Sequence, residues 1–567
     1  MAGAPASAVV YWDPDGYDVS RPRLMGRQAA GAGFLRALVR HGRPPRLVCM
    51  ARDRAAAEEF ARIVRTAEAD PPRRQPRTVT WLPRGEPARL AEVGCLYYPS
   101  PTIAGFAWQR RLHDERAWSL CGVTHTTASD SVMEAIGSFV TAPLHSWDAV
   151  ICTSRAVRAT VDHVTGQWQA WLRERLGVGA AGRARAVHLE LPIIPLGVDC
   201  RQQMPDAAMR KAMRDRLGIA DEAVAALFLG RLTATAKAHP LPMLAGLEAA
   251  ALRTGKRVHL ILAGWFEVKE EEREFHTLAT TFAPHIRLHV VDARDPQTRK
   301  GAWSAADLFT SLSDNVQETF GLTPVEAMAA GLPLVVSAWD GYRDTMTDGI
   351  EGFAVPTVAP PPGAGATLAG HYRSGHFSYG GYIGRAAQFT AVDPVAVTEA
   401  YARLLADPAL RARMGDAGRR RARRQFDWSV VIGAYEQLWD ELAARRAAAA
   451  PLPPRQPRAA ADPLRDDPYA AFAGYPSYVV TPDCRAMRIA DGPPLDRVMS
   501  FRVNTFASGL MLERAGIDAL LAALASATAP VPVAELLAPW TDERRDEAIR
   551  TLVWLQKMGL AVILPPA

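Results

Sequence analysis

The segment Glu318–Gly331, ETFGLTPVEAMAAG, decides how the rest of the chain is read, because it places two carboxylates around the start of one helix. Thr323 suits the N-cap, Pro324 the first helical position and Glu326 the third, the spacing of a capping box. Val325, Met328 and Ala329 recur at helical spacing, and Leu334–Val336, beyond Gly331 and Pro333, reads as the next buried strand. Such a helix start offers backbone N–H groups and the positive end of the macrodipole, which suit phosphate or sugar oxygens. The capping box by itself accounts for Glu326 without a ligand. Glu318 has no such local role and is either a solvated loop acid or a ligand contact. Gly321 serves either a simple turn or the close approach of a ligand.

Upstream, Ala225–Ala250 (AALFLGRLTATAKAHPLPMLAGLEAA) begins as a buried strand, turns at Gly230 and enters a helix near Pro240 or Pro242, with Arg231 and Lys237 flanking the turn. VHLILAG, 258–264, is another strand ending at glycine, and Ile286–Val291 a shorter one leading to Asp292. In the first half, Ala8–Trp12 is a short apolar strand, and Gly26–Gly42 (GRQAAGAGFLRALVRHG) is loop and helix. LCGVTHTTAS, 120–129, runs from a strand into His125, and WDAVICTS, 147–154, repeats the pattern of strand then helix. Short apolar strands alternating with helices predict an α/β chain whose parallel sheets are covered on both faces. The active site is then expected between two such domains, at the carboxyl ends of the strands.

Glu, seven residues, Glu, within SAADLFTSLSDNVQETFGLTPVEAMAAGLPLVVSAWDGYRDTMTDGIEGF, 304–353, resembles the large family of retaining, nucleotide-sugar-dependent glycosyltransferases with the GT-B fold. That family, glycosyltransferase family 4 or glycosyl transferases group 1, includes sucrose synthases and bacterial mannosyl- and glucosyltransferases. The resemblance covers most of the first 443 residues and implies two Rossmann-like domains facing a cleft. It also implies roles. Glu318 would approach donor-sugar hydroxyls, the backbone of Phe320, Gly321, Leu322 and Thr323 would lie near the sugar and diphosphate, and Glu326 would grip the ribose. Gly230, Arg231 and Lys237 would clasp the diphosphate, the two cations stabilising charge on the leaving group without a bound metal. Main chain at Val291 and Asp292 would meet the base, which leaves the nucleotide unspecified. His125 would sit near the transferred sugar, as a hydrogen-bonding group and not a nucleophile. Where many relatives carry paired glycines this chain has Gly26, Arg27 and Gln28; Arg27 is open to selecting an anionic acceptor or to plain exposure. Leu196, in PIIPLGVD (192–199), replaces a usual asparagine.

A chain of 567 residues with 49% hydrophobic composition can build several cores. The expected organisation is an acceptor-side domain over 1–199, a nucleotide-sugar-binding domain over 200–443 with an insertion near 360–390, a linker over 444–470 and an accessory domain over 471–567. His371–Thr390, inside that insertion, is tyrosine-rich and suits either ordinary packing or an acceptor. The basic run Arg411–Arg424 precedes an amphipathic helix carrying Phe426, Trp428, Tyr435 and Trp439, which the resemblance implies crosses back to join the two large domains. The tail resembles a winged-helix end, with a helix over Asp542–Met558 followed by a strand. Its acidic residues and apolar Leu552, Val553 and Leu555 favour contact with a protein over DNA.

The net charge of +6 suits nucleic acid, nucleotide sugars or an acidic membrane surface. No nucleic-acid motif accompanies it, so sugar transfer ranks first. Six scattered cysteines without metal spacing suit a reduced compartment, and the absence of a long apolar span suits a cytoplasmic protein or one peripheral to a membrane. The expected function is transfer of a hexose from a nucleotide sugar, a substrate and not a bound cofactor, to an acceptor hydroxyl. The rivals are a nucleotide-sugar isomerase or hydrolase, and a noncatalytic scaffold recruiting a protein partner.

Overall fold

The computed structural model describes residues 8–17, 26–69, 76–177, 188–453 and 460–566, with the side chains of Arg27 and Glu543 outside the described set. Two compact units divide the chain, Met1–Pro457 and Arg458–Ala567.

The first unit contains two six-stranded sheets. Strands β1 (Val9–Tyr11), β2 (Arg46–Ala51), β3 (Thr78–Pro83), β4 (Cys95–Tyr97), β5 (Ser119–Val123) and β6 (Ala149–Ile151) form one, in the order β3-β2-β1-β4-β5-β6, with every pairing parallel. Strands β7 (Val224–Arg231), β8 (Val258–Trp265), β9 (Arg287–Val291), β10 (Leu308–Ser311), β11 (Leu334–Ser337) and β12 (Gly352–Val355) form the other, ordered β12-β11-β10-β7-β8-β9 and again all parallel. Read from the third strand outward, both follow the 3-2-1-4-5-6 order of a doubly wound Rossmann sheet. The two half-domains therefore have their topological switch points between β1 and β4 and between β7 and β10, and ligands are expected beyond the carboxyl ends of those strands. Central strands such as β5 and β10 are buried along their whole length, as parallel strands covered on both faces must be.

Residues near 200 and 427 stitch the two Rossmann-like domains together. Val198 N–H donates to Phe426 O at 2.8 Å, and Trp428 N–H donates back to Val198 O at 3.1 Å. The helix Trp428–Ala448 follows the second domain in sequence yet packs on the first: Trp428, Val431, Ile432, Tyr435, Trp439 and Leu442, at helical spacing, share a core with Phe34 and Tyr97. Gly33 and Gly197 are the contact points, since a Cβ at either would lie 3.0 Å and 2.4 Å from the Trp428 ring. The insertion folds as two short helices, Ala366–Arg373 and Tyr379–Ala387.

One expectation fails at the central helix. It spans Leu322–Ala330, with Gly321 rather than Thr323 at the cap and no side-chain capping bond, so Glu326 is not a capping-box residue. The cause is a turn made two residues early. Gly321 has φ +91° and ψ 76°, and a Cβ there would lie 2.2 Å from the Tyr342 ring, so only glycine lets the chain begin the helix against that tyrosine. Pro324 remains compatible because N–H groups in the first turn have no intrahelical acceptor.

The second unit has its own core. Strands β13 (Thr357–Val358) and β14 (Ala391–Val392) belong to the first unit, whereas β15 (Arg485–Arg488), β16 (Val531–Pro532) and β17 (Ala561–Leu564) form an antiparallel sheet ordered β16-β15-β17 in the second. Helices Arg514–Ser526, Val533–Leu537 and Asp542–Lys557 complete it. Leu552 and Leu555 are fully buried inside this unit, which corrects their reading as a protein-contact surface; Val553 is 45% exposed.

Candidate active site

The switch point between β7 and β10 brings two loops together. The turn after β7 carries Arg231 and Lys237, and the loop after β10 carries Asp314, Asn315 and Glu318. Three hydrogen bonds fix one loop to the other: Asn315 Nδ2 donates to Thr235 O at 2.6 Å, Ser313 Oγ to Lys237 O at 3.2 Å, and His239 N–H to Asp314 Oδ2 at 3.1 Å. The result is a direct ion pair between Lys237 Nζ and Glu318 Oε2 at 3.1 Å, with the carboxylate side chain 16% exposed. Burial pushes the Glu318 pKa up, but the Lys237 charge and hydrogen bonds from the Thr319 and Phe320 N–H groups outweigh it and hold the carboxyl below its ordinary value. Glu318 is thus an ionised acceptor at the floor of the cleft.

His125 comes to the same place from the first domain. It lies beyond β5, and its backbone oxygen accepts from Thr319 Oγ1 at 2.9 Å, so the Glu318–Phe320 segment touches both domains. Arg155, at the start of the helix Arg155–Leu176, adds a second bridge by donating from its backbone N–H and from Nε to the Asp344 carboxylate, each at 2.6 Å.

The other predicted residues fall as follows. Gly230 has φ +152° at the end of β7, and a Cβ on its strand partner Gly264 would meet Gly230 O, so the two backbones run in contact there. Arg231 lies 3.7 Å from Glu267 across the same strand ends. Phe320 is buried, and Gly321, Leu322 and Thr323 form the helix start. Glu326 lies four residues into that helix, where burial raises its pKa against the opposing charge of Arg299. Val291 is buried at the end of edge strand β9, and the neighbouring Asp292 is tied to Arg294 at 2.6 Å. Gly26 opens the helix Gly26–His41 with nothing within 4 Å of a would-be Cβ, and Gln28 is buried. The Arg27 side chain lies outside the described residues.

The insertion meets both walls. A Cβ on Gly384 would lie 2.9 Å from Thr235, in the Arg231–Lys237 turn, while Tyr379 faces Thr126 and Arg231, and Tyr372 faces Asp130. A mostly apolar cavity of about 240 Å³ lies behind that turn, lined by Phe228, Met243, Leu262, Phe266 and Phe275 and not by Glu318 or Phe320. Arg231 and Thr235 also line that cavity, whereas the Lys237–Glu318 pair, where the two domains converge, lies outside its lining. Sequence reasoning did not single out Asp314, Asn315, Asp340 or Asp344. The signal available for the first two was the polar SDN directly after an apolar strand at a switch point. Among the described residues, no group of three His, Cys, Asp or Glu side chains is arranged to hold a metal ion. All six cysteines are buried and free, and no helix among the described residues is long and apolar enough to cross a membrane.

The family described as Glycosyl transferases group 1 matches residues 209–360, the stretch that holds β7 to β12 and every residue of the Arg231, Lys237 and Glu318 cluster. Residues 209–360 are thus similar to the group 1 glycosyltransferases, within a unit built of two Rossmann-like domains. It is 28% identical over 264 residues to a D-inositol 3-phosphate glycosyltransferase of Xylanimonas cellulosilytica, covering 45% of this chain and 52% of that protein. It is also 27% identical over 218 residues to a phosphatidyl-myo-inositol mannosyltransferase of Mycobacterium leprae, covering 38% and 46%. The chain spans about half the length of the curated relatives it matches. Among solved structures, Anabaena Alr3699/HepE in complex with UDP aligns with a TM-score of 0.48 and 16% identity, over 77% of this chain and 100% of that one.

Proposed function

We propose that this protein transfers a hexose from a nucleotide sugar to an acceptor hydroxyl with retention of configuration. The observation that carries the reading is the Lys237–Glu318 pair, held at 3.1 Å at the carboxyl edge of the second sheet beside an uncapped helix start. The two side chains neutralise each other. An arriving diphosphate competes for Lys237, with Arg231 nearby on the same turn, and releases the ionised Glu318 to accept from donor-sugar hydroxyls. The first-turn N–H groups of Leu322 and Thr323, where no side chain caps the helix, add positive potential. The bond between the anomeric carbon and the diphosphate oxygen then breaks while the acceptor oxygen bonds to the same face of that carbon. The acceptor proton passes to the leaving phosphate, whose growing charge Arg231 and Lys237 offset without a metal ion. The group 1 match over residues 209–360 supports glycosyl transfer, and the family resemblance implies retention and a nucleotide-sugar donor. Glu326 would hold the ribose, main chain at Val291 and Asp292 the base, Gly26 and Gln28 the first-domain side of the diphosphate, and His125 the transferred sugar.

Titration calorimetry of UDP-, GDP- and ADP-sugars, with mass spectrometry for slow hydrolysis, tests the reading. One donor should bind, Lys237→Ala should weaken both that donor and its free nucleoside diphosphate, and Glu318→Ala should weaken the sugar nucleotide far more than the diphosphate. Turnover should fall on the order of 10²-fold in each variant. Failure of every donor to bind the wild-type protein would end this reading.

A further inference from the structure

Asp340 stands apart from every other described residue of the chain. It is the sole non-glycine residue among them in the left-handed region, at φ +45°, in the turn between β11 and the short helix Tyr342–Thr345. Aspartate tolerates that conformation better than most side chains, yet it is still a position where strain signals a constraint. The next residue shows what the turn is pressed against. A Cβ on Gly341 would lie 2.4 Å from Thr319 O and 2.5 Å from Phe320 Cα, so the Asp340–Gly341 turn rests on the backbone that immediately follows Glu318. Trp339 locks the same turn from the other side, its Nε1–H donating to Asn315 O at 3.0 Å.

The charges around Asp340 are already matched without it. Glu318 has Lys237 at 3.1 Å, and Asp344 has Arg155 at 2.6 Å, whereas Asp340 forms no ion pair among the described residues. Its Oδ2 is shielded from solvent and has no hydrogen-bond partner. The groups that face it are the Glu318 and Asp344 carboxylates and the Gly341 N–H. A shielded, unpartnered carboxyl is costly to keep, and a ligand group is one partner that would satisfy it.

We propose that Asp340 reads a hydroxyl of the donor sugar adjacent to those held by Glu318, its carboxylic acid donating a hydrogen bond to that hydroxyl oxygen. The assignment rests on the donor-site reading of Glu318 above and adds a sugar-specificity residue to it. The protonated form follows from the surroundings: burial first, then the Glu318 charge, push the Asp340 pKa up to about 8. Its terminal torsion is soft, so the acid can turn toward a sugar hydroxyl beside Glu318. A hydroxyl is the fitting partner because it accepts from the acid and donates to the neighbouring Glu318. An ammonium substituent would instead require Asp340 to be ionised.

The test compares wild type, Asp340→Asn and Asp340→Gly by calorimetry at pH 7, on the sugar nucleotide selected from the donor panel and on its free nucleoside diphosphate. Asparagine keeps a donor and tolerates the left-handed backbone, while glycine removes the side chain and relaxes the turn, so both variants should fold. Expected are diphosphate affinities within about twofold in all three proteins. Sugar-nucleotide affinity should be near wild type in Asp340→Asn and weakened up to about tenfold in Asp340→Gly, the size of one hydrogen bond. Equal sugar-nucleotide affinity in Asp340→Gly and wild type would overturn the proposal. So would loss in Asp340→Asn as large as in Asp340→Gly, which would mean that an ionised carboxylate is what the site uses. A wild-type protein that binds no nucleoside diphosphate would remove the donor site itself and this role with it, a result distinct from either of the others.

Discussion

Burial raises the pKa of three carboxyls beyond β10 and β11, and their neighbours then set them apart. Glu318, with Lys237 beside it and two N–H groups on its oxygens, is held down; Asp340, with no cation, is pushed to about 8; and Asp314, fully enclosed with one oxygen bound to His239 N–H and the other unpartnered, to about 7. These shifts make stability statements. For Asp340 the folded value lies above its ordinary 3.8, so its contribution is most favourable below pH 4 and is lost as the pH rises toward 8, beyond which it changes no further. Asparagine stays neutral throughout. The unliganded Asp340→Asn variant should therefore match or trail wild type in melting temperature near pH 4 and gain on it steadily up to about pH 8, with Asp314 contributing equally to both proteins and cancelling. Differential scanning calorimetry from pH 4 to 9 checks this, and a pH-independent difference would mean that Asp340 is ionised in the empty protein.

Elements built from apolar strand followed by turn were legible in the sequence, because a parallel strand buried on both faces writes itself as a continuous apolar run. Ala225–Leu229, Val258–Ala263 and Leu334–Val336 are all buried as that pattern requires. The start of the central helix was not legible in the same way. Thr323, Pro324 and Glu326 satisfy a local capping rule, but a tertiary contact, Gly321 against the Tyr342 ring, places the cap two residues earlier. Nothing near Gly321 in sequence announces Tyr342. Asp340 was hidden for the same reason, since its isolation depends on which cations Glu318 and Asp344 have taken. The family resemblance singled out Glu318, Lys237 and His125, which the fold brings together, whereas Arg155 is one exposed arginine among many until the fold sets it against Asp344. The glycines separate these kinds of information experimentally. Gly321→Ala places a side chain at φ +91° and into the tyrosine ring, and should cost more than about 1 kcal/mol in urea unfolding. Gly26→Ala meets open space at a helix start and should change stability by less than about 1 kcal/mol in either direction. An equal loss in both would show that the Gly321 turn is not held by the tyrosine.

At the scale of the whole chain, two Rossmann-like domains of the same strand order share the first unit, and the helix Trp428–Ala448 returns the chain from the second domain to the core of the first. The chain passes between the two domains near Val198 and Asp427, which pair as an isolated parallel bridge. The second unit is built on different terms. Its buried cluster runs from Cys484 to Ile563, and among the described residues it is tied by hydrogen bonds within the unit: Leu512 N–H to Thr551 Oγ1 at 3.0 Å, Ile563 N–H to Gln556 Oε1 at 2.7 Å, Trp554 Nε1–H to Asn504 O at 2.7 Å and Tyr478 OH to Ile563 O at 2.7 Å. Each of these satisfies a group that would otherwise be stranded at the edge of a small core, and none requires a residue from before Arg458. A segment of about 110 residues is also long enough to bury a core of its own. Residues 458–567 produced alone should thus unfold in one cooperative thermal transition with a dispersed amide spectrum, and their melting temperature should not depend on added nucleotide sugar. A broad, non-cooperative melt with strong binding of a hydrophobic dye would instead mean that this unit depends on the rest of the chain for its fold.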